Sequence, residues 1–210
     1  MQRDRFFPGR GLYVITRDTT EARFRIEDEI RAAIQGGANV VQYRAKAGRA
    51  SKEEALALLS LCRSGGVPLI INDDVALARA IGADGVHLGR EDADLTEVRA
   101  MLGPEAIIGV SCYDDPDRAM KAQEEGATYV AFGRFFPSKT KPHAPCAQFS
   151  SLMEARERIR VPIVAIGGIT LENARVLLEG GADLLAVIEG VFGSDDPESA
   201  ARQFRALWDC

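Results

Sequence analysis

Histidine is nearly absent from this chain of 210 residues: only His87 and His143 occur, so a histidine-rich metal centre is excluded. Cysteine is scarce and unpatterned. Cys62, Cys112, Cys146 and Cys210 are widely spaced with no C-x-x-C pair, which speaks against a zinc site or a disulfide framework and for reduced thiols in a cytoplasmic protein. No apolar run reaches membrane-spanning length, and the opening MQRDRFFPGR lacks the apolar core of a secretory signal. Positive charge is not in excess: 26 Lys and Arg stand against 31 Asp and Glu, and the net charge of −5 excludes a general basic field for nucleic acid or a membrane surface. Any anionic ligand must therefore be held by a few local cations. There is also no linker, no low-complexity tract and no early G-x-G-x-x-G turn of the kind a dinucleotide-binding open sheet carries.

What is present is an alternation. Short apolar, β-branched runs predict strands at Leu12–Thr16, Val40–Arg44, Leu69–Asn72, Gly85–Leu88, Ile107–Ser111, Tyr129–Gly133, Ile163–Ile166 and Leu184–Ile188. Between them lie helix-like stretches such as SKEEALALLSLCRSGG, DDPDRAMKAQEEGA and TLENARVLLEGGA, opening on Ser, Asp or Thr and closing on Gly, with DPESAARQFRALW at the end. Eight strand–helix units predict an α/β protein, a single-domain (β/α)8 TIM barrel spanning residues 1–210, with a doubly wound open sheet as the rival. Gly82-Ala83-Asp84 and Gly181-Ala182-Asp183, with looser copies at Gly37-Ala38-Asn39 and Gly126-Ala127-Thr128, fall between a helix and the next strand. That repeat reads as architecture at the stability face of a barrel.

The C-terminal strand ends build the active site of such a barrel, so the polar residues falling there carry the functional argument. Gln42 and Arg44 alternate along the second strand and share its inward face, and Lys46 continues that spacing just beyond it into the barrel mouth. An inward Arg and Lys call for an anion, or for a local ion pair with carboxylates. Asn72-Asp73-Asp74 and Asp92 end two successive strands and suit Mg²⁺, which takes carboxylate, water and substrate-phosphate oxygens. Helix capping is the alternative: it is preferred for Asp74 and stays open for Asp73 and Asp92. Ser111 offers a hydroxyl to a substrate heteroatom or simply makes a turn, and the adjacent Cys112 reads as packing. The segment from Arg134 to Pro145 alternates Ser138, Lys139, Thr140 and Lys141, which suits phosphate capture by a lid, or else is a solvated loop. His143 within it is a candidate acid or base, or an exposed loop histidine. Gly167-Gly168 and Ile188-Glu189-Gly190 end the last two strands, where barrels commonly hold a phosphate on backbone amides.

Taken together, GLYVITRD, VVQYRAK, IINDDVALARAIGADGVHLGREDAD, IIGVSCYD, YVAFGRFFPSKTKP and VPIVAIGGIT resemble the thiamine-phosphate synthase family, from about Gly11 to Gly193. The resemblance implies a (β/α)8 barrel that joins a pyrimidine diphosphate to a thiazole phosphate with release of pyrophosphate, using Mg²⁺ on Asp73 and Asp92. It makes Gln42, Arg44, Lys46, Asn72, Ser111 and Lys141 the pyrimidine-diphosphate pocket, with Arg44, Lys46 and Lys141 stabilising the departing pyrophosphate and Ser111 beside them as a catalytic candidate. Ser138, Thr140, Gly168, Ile188 and Glu189 match the thiazole-phosphate side. Two departures stand out: Glu189 occupies a position where the family carries Ser, and Gly133-Arg134-Phe135-Phe136 replaces a more usual Gly-Pro form. The implied chemistry is a dissociative substitution that needs no protein nucleophile.

The rivals are a related thiazole-phosphate tautomerase, which would need a histidine base at the mouth, and a non-catalytic barrel that senses a phosphorylated metabolite. The expected partners are phosphorylated small molecules and, at most, a second copy of the chain as a homodimer.

Overall fold

Strand after strand forms where a β-branched run is bounded by glycine or polar turns, and helices fill the intervals between. The computed structural model describes residues 6–17, 25–45, 50–89, 93–137 and 146–209. The order is β1 (Gly11–Ile15), α1 (Ile26–Gln35), β2 (Val40–Tyr43), α2 (Lys52–Gly65), β3 (Leu69–Asn72), α3 (Val75–Ile81), β4 (Gly85–Leu88), α4 (Leu95–Leu102), β5 (Ile107–Tyr113), α5 (Pro116–Glu124), β6 (Tyr129–Gly133), α6 (Phe149–Arg158), β7 (Ile163–Ile166), α7 (Leu171–Glu179), β8 (Leu184–Val187), α8 (Glu189–Phe192) and α9 (Pro197–Arg205). All strand pairs are parallel, and β8 returns to β1 to close the barrel. The open-sheet rival is thereby excluded.

Period-two alternation divides each strand between two cores. One face, with Tyr13, Ile15, Val40, Ile70, Ile107, Tyr129, Ala131, Val164, Leu184 and Ala186, fills the barrel interior. The other, with Leu12, Val14, Val41, Ile71 and Val130 among others, packs under the helices. Each large apolar side chain so buried contributes about 1.5–3 kcal/mol. Phe7 stacks on Tyr129 inside the barrel with ring centroids 4.3 Å apart, and Gly109 on β5 leaves room for the tyrosine ring.

Strand ends differ slightly from the sequence expectation, for identifiable reasons. At the end of β1, the Thr16 hydroxyl accepts from Arg44 N at 2.8 Å and donates to Arg44 O at 3.0 Å, so a side chain replaces the ladder and Arg44 falls just outside β2. β5 runs on past Ser111 through an irregularity between Ser111 and Tyr113. Ile188 leaves β8 to cap α8.

The Gly-Ala-Asp repeat has a structural meaning. Asn39 Oδ1 accepts from Leu12 N at 2.9 Å, Asp84 Oδ2 from Leu69 N at 2.8 Å, Thr128 Oγ1 from Ile108 N at 3.0 Å, and Asp183 Oδ2 from Ile163 N at 2.8 Å. Each of the four returns its own N–H to the carbonyl of the same residue. Four reciprocal clasps thus tie β1 to β2, β3 to β4, β5 to β6 and β7 to β8 near their starts. The leading glycines Gly37, Gly82, Gly126 and Gly181 all have positive φ, which is what the tight helix-to-strand turn requires.

Asp183 also pairs with Arg156 at 2.8 Å, so Asp183→Ala removes an acceptor and an ion-pair partner at once. We expect a loss of about 2 kcal/mol, read as a lower urea midpoint at unchanged slope. An unmoved midpoint would show that the clasp holds nothing.

Candidate active site

At the C-terminal mouth, register decides which side chains meet. Gln42 pairs in register with Ile15 and Ile70, Asn72 with His87, His87 with Gly109, and Ser111 with Ala131. The inward ring is therefore polar along β2–β5 (Gln42, Asn72, His87, Ser111) and apolar along β6–β8 and β1 (Ala131, Ile166, Ala186, Ile15). The mouth has two unlike halves.

The polar half is wired together. Gln42 Nε2 donates to Tyr13 OH at 2.8 Å, and Tyr13 OH lies 2.8 Å from Tyr129 OH. His87 then bridges Tyr129 OH, 2.9 Å from its Nδ1, and Ser111 Oγ, 2.8 Å from its Nε2. Burial pushes both phenols well above their ordinary range, so they are neutral hydroxyls. Both ring nitrogens of His87 are engaged, which sets it apart from a poised base. Sequence reasoning passed over His87, Tyr13 and Tyr129. The signal for His87 was available: it is a polar residue at the inward register of an otherwise apolar strand.

At the end of β3, Asn72 Nδ2 donates to Asp73 Oδ2 at 2.6 Å, while Asp73 N donates to His87 O at 2.9 Å. Asp73 has φ of 61°, a left-handed conformation unusual outside glycine that marks many functional sites. Asp74 behaves differently. It caps α3, accepting from Leu77 N at 2.8 Å, as expected of it. The cap of α4 is Asp94, which accepts from Thr96 N at 2.9 Å and Glu97 N at 3.3 Å.

Ser111 sits at the β5 irregularity, a device that re-aims a side chain. Arg118 on α5 braces that strand end, donating from Nε to Ser111 O at 2.8 Å and from Nη2 to Gly89 O at 3.1 Å. Cys112 next to it is fully buried and faces away; burial pushes its thiol up to about 12, as it does for Cys62. Packing was the expected role.

Two arginines stand at the mouth in contrasting states. Arg17 Nη2 donates to the buried carboxylate of Glu29 on α1, so its charge is answered within the fold. The half-buried Arg44 guanidinium makes no ion pair or hydrogen bond among the described residues.

In the other half, the β6 extension lies along the end of β7: Phe135 N donates to Ile166 O and Phe136 N to Gly167 O. A Cβ on Gly167 would stand 2.2 Å from Arg134 Cβ, and one on Gly168 would stand 2.3 Å from Pro137 O. The glycine pair is therefore demanded by loop packing as well as available to a ligand. The first bonds of α8 run from Val191 and Phe192 to Ile188 O, so the N–H groups of Glu189 and Gly190 open the helix without a partner inside it. Glu189 is exposed, and its carboxylate folds back along α8 to within 3.2 Å of where a Gly193 Cβ would be. Lys46, Asp92, Ser138, Lys139, Thr140, Lys141 and His143 lie outside the described residues.

Residues 12–191 match the family model described as thiamine monophosphate synthase. The chain is 49% identical over 204 residues to the thiamine-phosphate synthase of Methylococcus capsulatus, covering 96% of this chain and 91% of that one. It is also 49% identical over 206 residues to the thiamine-phosphate synthase of Thiobacillus denitrificans, covering 97% of each. Among solved structures, the thiamine phosphate pyrophosphorylase of Pyrococcus furiosus superposes with a TM-score of 0.84 at 33% identity, covering 96% of both chains.

Proposed function

The chain belongs to the thiamine monophosphate synthase family and is a transferase that forms thiamine phosphate; from that premise we propose how its two-sided mouth divides the work. The polar half takes the pyrimidine diphosphate, with Gln42, Asn72 and Ser111 on the ring and Arg44, Lys46 and Lys141 on the diphosphate. The glycine half takes the thiazole phosphate, with Gly168, Ile188 and the backbone of Glu189 beside Ser138 and Thr140. The observation that carries this reading is the Arg44 guanidinium, half-buried and unanswered by any described carboxylate. A cation so placed is stabilised by an anion brought in from outside.

The donor set also fits a hard divalent cation. Asn72 and Asp73 present oxygen chemistry side by side at the end of β3, and Asp92 belongs to the next loop. No group of three His, Cys, Asp or Glu occurs among the described residues, and Mg²⁺ needs none, since it keeps waters and substrate phosphates as ligands. Asp73 and Asp92 would hold it, and when bound it supplies positive charge against the leaving diphosphate.

The reaction breaks the bond between the pyrimidine methylene carbon and the diphosphate oxygen. The bonding pair leaves on pyrophosphate, where Arg44, Lys46 and Lys141 meet the developing charge. The electron-rich aminopyrimidine carries the methylene cation until the thiazole nitrogen supplies the pair for the new C–N bond. Holding the two rings face to face is the barrel's other contribution. The buried, protonated thiols agree with a route that uses no protein nucleophile. Every part of this reading lies within one chain, so it does not require a homodimer. We assign the reaction to the cytoplasm on the free cysteines, Cys62 and Cys112 buried and Cys146 exposed; no helix of the described residues is long and apolar enough to cross a membrane.

Mixing the two phosphorylated precursors with the protein and Mg²⁺ is expected to release pyrophosphate and thiamine phosphate in equal amounts. Pyrophosphate release without coupled product, or no release at all, would overturn the reading.

A further inference from the structure

Gln42, Tyr13, Tyr129, His87 and Ser111 form one unbroken hydrogen-bonded chain across the barrel from β2 to β5. Its two ends are residues of the pyrimidine half of the mouth, and its middle is buried. We propose that His87 is a positioning residue for the pyrimidine substrate, held by Tyr129 as the Nε2–H tautomer so that Ser111 presents its hydroxyl hydrogen to the mouth. The proposal rests on the reading above, in which Gln42 and Ser111 contact the pyrimidine.

The tautomer follows from counting protons along the chain. Gln42 Nε2 can only donate, so Tyr13 O accepts there. The Tyr13 proton goes to Tyr129 O, because a buried hydroxyl without an acceptor is costly. Tyr129 has one proton left and gives it to His87 Nδ1. Nδ1 is then an acceptor, Nε2 carries the hydrogen, and Nε2–H donates to Ser111 Oγ. The Ser111 proton is left for a ligand, and at the far end the Gln42 carbonyl Oε1 remains an acceptor.

This polarity suits an aminopyrimidine, which offers an exocyclic N–H and ring-nitrogen lone pairs. The Gln42 carbonyl matches the first and the Ser111 hydroxyl the second. Reversed, the chain would set donor against donor and lone pair against lone pair, which is how a site rejects a ligand. The relay sets the sense of Ser111 through two tyrosines that never touch substrate.

The test is ¹⁵N-histidine NMR on the whole, ligand-free protein, combined with kinetics. The chain has only two histidines, so a His143→Gln variant assigns the spectrum. The expected result is one His87 tautomer, protonated at Nε2. Tyr129→Phe keeps the ring that stacks on Phe7 but removes the hydroxyl, and should give a mixture of tautomers. In that variant KM for the pyrimidine diphosphate should rise about tenfold, the worth of one neutral hydrogen bond, with kcat and KM for the thiazole phosphate within about twofold. His87→Gln, whose amide N–H can replace Nε2–H toward Ser111, should stay near wild type in that KM, whereas His87→Ala should follow Tyr129→Phe. A wild-type Nδ1–H tautomer, or an unchanged pyrimidine KM in both Tyr129→Phe and His87→Ala, would overturn the proposal. A single Nε2–H tautomer in protein that makes no thiamine phosphate would overturn the functional reading and the positioning role, while leaving the tautomer itself established.

Discussion

Asp73→Ala is expected to slow thiamine phosphate formation about a thousandfold, equivalent to ~4 kcal/mol of transition-state stabilisation, with the barrel still folded. The argument is local. Asp73 adopts φ of 61° at the end of β3, its carboxylate is tethered by Asn72 Nδ2 at 2.6 Å, and its N–H is anchored on His87 O. So much constraint on one exposed acid makes sense where the carboxylate must meet a cation in a fixed place. Its neighbour provides the control. Asp74 caps α3, and Asp74→Ala should cost about 1 kcal/mol of stability with turnover close to wild type. Pyrophosphate release at saturating Mg²⁺ separates the two, and EDTA should silence the wild-type protein. Wild-type turnover in Asp73→Ala, or coupling that persists with the metal chelated, would remove Asp73 from the metal role.

The second large effect is structural. Gly109→Ala should lower stability by about 3 kcal/mol or more, because a Cβ there has nowhere to go. It would stand 2.0 Å from Tyr129 Cζ and 2.3 Å from its hydroxyl oxygen. Tyr129 cannot retreat: Phe7 is stacked on one face, and its hydroxyl is bonded to Tyr13 and His87. The clash must be relieved by moving the ring that fills the barrel centre. Thermal unfolding measures the loss, and near-ultraviolet circular dichroism reports the tyrosine environment. An unshifted midpoint would mean that the interior is looser than this packing implies.

The strands were legible in the sequence because β-branched runs with Gly and Asp punctuation mark their ends without knowledge of the partner strand. Gln42 and Arg44 came from the period of two along one strand, Asn72 and Ser111 from their places at strand ends. The tyrosine relay was not legible, since Tyr13 and Tyr129 are separated by 116 positions and meet only when the barrel closes. The irregularity at Ser111 is likewise a product of pairing with β6, which no local pattern announces. The cap of α4 could have been found: Asp94 and Glu97 make the D-x-x-E spacing of a capping box. Arg44 against Arg17 illustrates a different limit. Both are arginines at strand ends, and only the position of α1, which brings Glu29 to Arg17, distinguishes a neutralised cation from one that no described carboxylate pairs.

The four reciprocal clasps have a consequence for how such a chain can be built. They join strands in consecutive twos, whereas across the seams β2/β3, β4/β5, β6/β7 and β8/β1 the matching positions have main-chain bonds alone, such as Val41 N to Pro68 O and Val130 N to Pro162 O. The barrel is thus a quartet of like modules, each carrying its own fastening at the floor. Copying a module copies its fastening, whatever stands at the opposite end. The mouth residues, drawn from β2, β3, β4 and β5, belong to no single module, so they are at liberty to differ in every copy while the floor keeps repeating itself.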